Sequence, residues 1–268
     1  MPTAIVRKTY DRAGSSGPLR SVPFSDQAAV LALGVRKALG IARADVAPVG
    51  RIEEICRTAG IKLRLRRLRG KDDGLQAVLA ACPGGFEVTV DTEPPGGWKS
   101  VPETIRPGLH RHRLRFRVAH ELAHTLFYDR TTPRPHRIVP DSTEQEAFCD
   151  VFARAFLVPP AGIPPRIADP AVVVSLARRY DVSLEVAVRA VAAAHPDMWF
   201  GLYLDQADGA TPQWLSSAAA GPPWMQWWVR RLDPASDCAK AHHPRDGWIG
   251  TALPLPARRQ LLVIARAK

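Results

Sequence analysis

The stretch RVAHELAHTLFY, residues 117–128, places His120 and His124 four residues apart with Glu121 beside the first. Four residues make about one helical turn, so the two imidazoles share a face only if this segment is an α-helix. Val118, Ala119, Leu122, Ala123, Leu126 and Phe127 make the other faces of that helix apolar. The helix is therefore expected inside a fold, where two buried histidines need partners. With eight His and nine Glu in 268 residues, His-Glu-x-x-His arises by chance in roughly one such chain in a hundred. The pattern is the signature in which both histidines bind one zinc ion and the glutamate is the general base. Glu121 is turned about 100° around the helix from His120, so it misses the ion and faces a water held there. Zinc brings the pKa of such a water toward about 7. Glu121 then takes its proton as it attacks a carbonyl and passes the proton to the leaving amine.

A catalytic zinc takes three protein ligands and a water, so a third ligand has to come from another element. The segment TEQEAFCDVFARAFLVPP, residues 143–160, supplies it. Asp141 or Ser142 can cap a helix here, and the prolines after Val158 end it near residue 157. Glu146 and Asp150 share one face of that helix, while Phe148, Phe152, Ala155 and Phe156 pack. Glu146 is assigned as third ligand. Asp150 is assigned behind the ligands, accepting a histidine N–H and fixing its tautomer. Glu144 competes with Glu146, but it points elsewhere and suits the first-turn dipole. Cys149 is a further donor, read as a small buried apolar residue. Phe127 and Arg130 stand where HExxHxxGxxH needs Gly and His, which excludes that variant. Manganese or iron also suits a His₂Glu donor set. For stabilising an oxyanion the sequence offers Tyr128, expected one turn beyond His124, and His110, His112 and His136.

Elsewhere the pattern reads as α+β. Residues 11–25 are rich in Gly, Ser and Pro, and Ser25 or Asp26 caps a helix to about Leu39. Ile52, Ile55 and Cys56 have helical spacing, and Gly60 stops that helix. Ile61, Leu63 and Leu65 then alternate as a strand. LQAVLAAC (75–82) and FEVTVDT (86–92) flank Pro83-Gly84-Gly85 as a hairpin, giving a small antiparallel or mixed sheet over 61–92. A Pro/Gly-rich connection covers 93–112, and the motif helix is expected over about 113–128. Residues 170–195 read as helix, turn at Tyr180–Ser183, and helix. WFGLYLD and QLLVIARA are strands, with Trp214, Trp224, Trp227 and Trp228 between them read as core. The expected organisation is a lead-in over 1–24, a metallopeptidase domain over 25–165, a helical subdomain over 166–196 and a small C-terminal α/β region over 197–268.

The net charge of +11 comes from 37 Lys and Arg against 26 Asp and Glu. These cations are spread along the chain, with local density in KLRLRRLR (62–69) and over 106–117. The first reads as a strand with one solvated face. In SLARRYDVSLEVAVRAV, Leu184, Val188 and Val191 are the apolar positions, and Arg178, Arg179 and Arg189 either meet phosphates or are solvated. That segment and the charge motivate a rival function, a DNA-binding regulator whose metal site is structural or vestigial. CAKAHHP (238–244) lacks a second ligand pair for a further metal site. No apolar run reaches the ~18 residues of a membrane span, and MPTAIVRKTYDR lacks a secretory h-region. Four cysteines without a CxxC pair point to reduced thiols, and a cytoplasmic protein is expected.

RFRVAHELAHTLF, followed by EAFCD and FARAFLVP, resembles the ImmA/IrrE family of bacterial zinc metalloendopeptidases. The upstream order resembles it too: a short helix, GI with a strand, Gly74, a hairpin strand ending in VDT, then the motif helix. The resemblance covers about residues 25–195. It implies a zincin-like, gluzincin-type domain with His120, His124 and Glu146 as ligands and Glu121 as base, followed by a helix-turn-helix-like region. It also implies a substrate: a helix-turn-helix repressor, often a genetic neighbour, whose cleavage releases DNA-damage or mobile-element genes. DNA association is then a route to a DNA-bound repressor, and a different cellular or toxin-like target is the third possibility. The EAFCD form and the C-terminal extension resemble the IrrE-like radiation-response regulators. Residues 197–268 carry no motif of the family, so no sensor role is carried over to them.

Overall fold

The computed structural model describes residues 24–42, 45, 54, 56–57, 59–66, 77–91, 106–206, 209–216, 239–243, 248–255 and 260–267. The chain divides into two compact units. One holds residues 1–162 together with 180–183; the other holds 163–179 and 184–268.

In the first unit, helix α1 (Phe24–Ala38) and strand β1 (Ile61–Arg66) precede the hairpin β2 (Ala77–Cys82) and β3 (Gly85–Asp91). The three-stranded sheet has the order β1-β3-β2, with β1 parallel and β2 antiparallel to β3, so it is mixed. The central strand carries the apolar load: Phe86, Val88 and Val90 are buried. On β1, Lys62 and Arg64 are exposed and Arg64 pairs with Glu87 at 2.8 Å, which is the solvated face expected of alternating cations. The helix α1 starts at Phe24, so Asp26 lies in its first turn rather than capping it.

Helix α2 (Arg106–His124) carries the motif and begins seven residues before the expected 113. RPGLHRH continues the helix because Pro107 stands in its first turn, where a missing N–H costs nothing. The helix also ends earlier than expected. Thr125 Oγ1 donates to Leu122 O at 2.7 Å, and a 3₁₀ turn follows over Thr125–Phe127. Tyr128 is extended, at φ −117° and ψ 138°, and opens strand β4 (Tyr128–Asp129), which pairs with β5 (His136–Arg137). The expectation that Tyr128 continues the motif helix is therefore corrected.

Helix α3 (Thr143–Leu157) keeps its expected bounds, with the Ser142 side chain accepting from Gln145 N at 3.2 Å. Phe148, Phe152, Ala155 and Phe156 are buried, and α3 packs against both α1 and α2.

The second unit holds α4 (Pro170–Arg179), α5 (Leu184–Ala194) and five strands: β6 (Met198–Gln206), β7 (Gly209–Leu215), β8 (Ala239–His243), β9 (Trp248–Leu255) and β10 (Gln260–Ala267). Pro170 opens α4, and Asp169 Oδ1 accepts from Ala171 N at 2.7 Å. Leu184, Val188 and Val191 are buried as their helical spacing demands. The sheet is antiparallel with the order β7-β6-β10-β9-β8, so the last strand lies in its middle. Its core includes Trp199, Phe200, Leu202 and Leu262. Among the described residues, 198–267 supplies strands, and α4 and α5 precede them in this unit. Trp224, Trp227, Trp228 and Cys238 lie outside the described residues, as does the lead-in before residue 24. Among the described residues no helix is long and apolar enough to cross a membrane.

Candidate metal centre

Helices α2 and α3 bring the donor groups of three residues together. Glu146 Oε2 lies 3.1 Å from His120 Nε2, and Glu146 Oε1 lies 3.2 Å from His124 Nε2. The two Nε2 atoms are 3.2 Å apart. Four ligands set tetrahedrally about 2.0–2.1 Å from an ion are separated from one another by about 3.3 Å, so each of these spacings is close to a ligand–ligand edge of a zinc coordination sphere, with the two histidines meeting different oxygens of Glu146. Both histidines are buried by the apolar faces of α2, whereas the Glu146 side chain is 59% exposed. Solvent therefore reaches the donors from the glutamate side.

The tautomer supports the same reading. His120 Nδ1 lies 3.0 Å from Asp150 Oδ1. An ionised carboxylate only accepts, so Nδ1 carries the hydrogen and Nε2 of the neutral ring presents a bare lone pair. A lone pair facing a second imidazole nitrogen and a carboxylate oxygen needs a proton or a Lewis acid among them. The donor chemistry thus fits a metal, and zinc suits two imidazoles and a carboxylate.

Charge is finely balanced here. Burial presses the His120 imidazole down, but the Asp150 hydrogen bond and the charges of Glu121, Asp150 and Glu146 outweigh it and raise its pKa. Burial and the His120 charge lower the pKa of His124. Burial raises Asp150, yet its bond to His120 and the charges of His120, Arg154 and Arg117 carry it below the ordinary carboxylate value. Burial, reinforced by Glu146 and opposed by His120 and Arg117, pushes Glu121 up to about 7. Glu121 is 6% exposed, and its carboxyl is brought close to neutrality.

Cys149 also enters this centre: its Sγ and one nitrogen from each histidine all lie within 4.8 Å of one another, a set able to hold a metal. Burial and the carboxylates of Glu146, Glu121 and Asp150 push its thiol upward, so it is held as the neutral form. A neutral thiol is a weak ligand beside a carboxylate already touching both imidazoles. Glu144 is exposed in the first turn of α3.

The described oxyanion candidates each have partners of their own. The Tyr128 ring packs edge-on against Phe86 at 5.2 Å, and His112 Nε2 is 3.2 Å from Asp181 Oδ1. His136 is exposed, 3.9 Å from Asp129. The side chain of His110 lies outside the described residues. A cation missed in the sequence is Arg137. It donates to Gln145 Oε1 at 2.6 Å and to Val139 O at 2.9 Å, pairs with Asp141, and stands 5.6 Å over the Tyr128 ring. Its charge reaches His124. Its importance depends on the β4–β5 pairing, which two-residue strands do not announce.

Residues 104–191 match the sequence profile of the IrrE N-terminal-like domain, Peptidase M78. No curated protein matches the chain in sequence. Among solved structures, a Mycobacterium tuberculosis transcriptional regulator is similar at a TM-score of 0.52 and 16% identity, covering 100% of this chain and 81% of that one. That likeness is one of fold. The motif residues and the profile match fall on the same segment, so residues 104–191 are similar to the IrrE N-terminal-like domain.

Proposed function

We propose that this chain is a zinc-dependent, site-specific endopeptidase of zincin-like, gluzincin-type architecture, acting in the cytoplasm on a helix-turn-helix repressor. The observation that carries the reading is the triangle of His120 Nε2, His124 Nε2 and the Glu146 carboxylate, with edges of 3.1–3.2 Å and Glu121 beside it. His120, His124 and Glu146 hold the ion. Zinc, when bound, acidifies a water and polarises the scissile carbonyl. Glu121 accepts the proton of the attacking water and returns it to the leaving amine nitrogen. Asp150 keeps His120 in the tautomer that leaves Nε2 free. The buried faces of Val118, Ala119 and Leu122 exclude water from behind the donors.

The repressor substrate is what the family resemblance suggests, and the mycobacterial neighbour's description as a transcriptional regulator fits a role in gene control. Cleavage would then release stress, DNA-damage or mobile-element genes. The unbridged thiols of Cys82 and Cys149 fit a reducing compartment.

The rival, a DNA-binding regulator, is disfavoured by the turn between α4 and α5. Tyr180 is fully buried and Val182 is 2% exposed, and the turn groups with the first unit. A helix-turn-helix reader offers the start of its second helix to a groove. Here Val182 and Leu184, at that start, are buried.

The test compares wild type, Glu146→Ala and Glu121→Gln on a helix-turn-helix repressor from an adjacent gene. Wild type should carry about one zinc per chain and cut, Glu146→Ala should lose zinc, and Glu121→Gln should keep zinc and not cut. Folded wild type without zinc after reloading overturns the metal centre. Cutting by Glu121→Gln overturns the assigned base.

A further inference from the structure

The motif helix is electrostatically ill-suited to its own beginning. Residues 106–117, RPGLHRHRLRFR, hold five arginines and two histidines, and the first turn of α2 contains no acid. Cations near a helix N-terminus oppose the macrodipole. Arg111 and Arg115 are one turn apart on the same face, and like charges at that spacing destabilise a helix. Left to itself, this half of α2 would fray, and His120 and His124 stand directly after it.

The missing negative charge comes from elsewhere in the chain. Asp181, in the turn between α4 and α5, takes all three nearby cations. Its Oδ1 meets Arg111 Nη2 and lies 3.2 Å from His112 Nε2, and its Oδ2 accepts from Arg115 Nη1 at 2.9 Å. The Arg115 side chain is 1% exposed, and the Asp181 carboxylate favours its charge against burial. Asp181 sits at φ +50°, in the left-handed region, and is the one non-glycine residue there among those described. Its neighbours Tyr180 and Val182 are buried and fix the turn. The carboxylate is thus aimed by a backbone conformation that most side chains avoid.

We propose that Asp181 is a positioning residue for the metal centre: it supplies from the α4–α5 turn a negative charge that residues 106–117 themselves lack, and so keeps that stretch helical and the two histidines in register. The effect on metal binding rests on the zinc reading above; the effect on the helix does not.

Full-length wild type, Asp181→Asn and the double variant Arg111→Glu/Asp181→Asn separate these. Asparagine accepts the left-handed backbone and removes only the charge. Glu at 111 returns an acid one turn before Arg115. In metal-free protein, hydrogen exchange of the 106–117 amides should be about 10- to 100-fold faster in Asp181→Asn, with α3 and β10 unchanged, and should return toward wild type in the double variant. Zinc affinity, read by competition with a chromophoric chelator, should fall about tenfold in the single variant and recover in the double. Wild-type exchange in Asp181→Asn, acceleration spread evenly over the whole chain, or a double variant no better than the single would each overturn the proposal. A wild type that binds no zinc sinks the protease reading alone, and the exchange comparison still decides the role of Asp181.

Discussion

The Oδ1 atom of Asp150 lies 3.0 Å from His120 Nδ1, on the far side of the imidazole from the nitrogen that faces Glu146. One carboxylate therefore determines what the other nitrogen can do. With the hydrogen held at Nδ1, Nε2 is an acceptor for a metal at neutral pH. Replacing Asp150 by Ala removes that constraint. Zinc affinity should fall about 10- to 100-fold without loss of the fold. In the metal-free protein the His120 ring should also titrate at lower pH, because the Asp150 hydrogen bond and charge help to raise it against burial. NMR titration of the imidazole checks the second effect independently of zinc. An unchanged His120 titration in Asp150→Ala would rule out the assigned pairing.

The two halves of this centre were legible in the sequence for different reasons. His120 and His124 declare themselves because helical period and chemistry coincide in five residues. Glu146 and Asp150 are readable because α3 has strong punctuation: Ser142 begins it and Val158-Pro159-Pro160 ends it. The start of α2 was hidden because Pro107, Gly108 and a run of cations look like a connection, and what offsets those cations, Asp181, is remote in sequence. Tyr128 was misplaced because Thr125 ends the helix through a local hydrogen bond that no periodicity reveals. The parallel pairing of β1 with β3 and the central position of β10 are matters of long-range pairing, which alternation along one strand does not encode.

Glu121 gives a prediction in pH. Its carboxyl is pushed from an ordinary 4.5 to about 7, chiefly by burial. The folded chain then holds a proton that the unfolded chain has released between these values. Stability of the metal-free protein should therefore fall as pH rises from 4.5 to about 7, and level off above that. Glu121→Gln cannot ionise and escapes this loss. The stability difference between Glu121→Gln and wild type should grow in favour of the variant on going from about pH 5 to about pH 8, by up to about 3 kcal/mol. Urea denaturation in chelator at both pH values measures it. A difference independent of pH would show that Glu121 is ionised throughout.

The β2–β3 turn provides a test of backbone geometry. Gly85 has φ +154°, and a Cβ there would strike the carbonyl oxygen of Gly60, the same oxygen that accepts from Phe86 N at 3.2 Å. Neither atom belongs to a flexible side chain, so the strands must move. Gly85→Ala should cost about 2 kcal/mol or more. Gly84, at φ +84°, has nothing within 4 Å of its Cβ position. Its alanine variant meets only the left-handed penalty, about 1 kcal/mol. Denaturation midpoints of the two variants should therefore separate, with Gly85→Ala the lower. Equal midpoints would mean that the close approach of Gly60 is not maintained in solution.

Arg36 anchors the helix that carries Glu146 and Asp150. It is 1% exposed, and its guanidinium donates to Phe156 O at 2.5 Å, Ala42 O at 2.9 Å and Asp45 O at 2.5 Å. Phe156 stands in the last turn of α3, where carbonyls lack helical partners, so a cation there satisfies both the hydrogen bond and the dipole. The guanidinium also lies 5.9 Å from the centroid of the Phe156 ring. Arg36→Met keeps the packing volume and strands the carbonyls, and should cost about 3 kcal/mol or more. Lysine cannot reach three acceptors with one ammonium, so Arg36→Lys should recover only part of that loss. Because α3 is loosened at the end away from Glu146, zinc affinity should change less than stability does. Chelator competition beside urea denaturation tests this division. A loss of zinc binding in step with stability would mean that α3 yields as one piece.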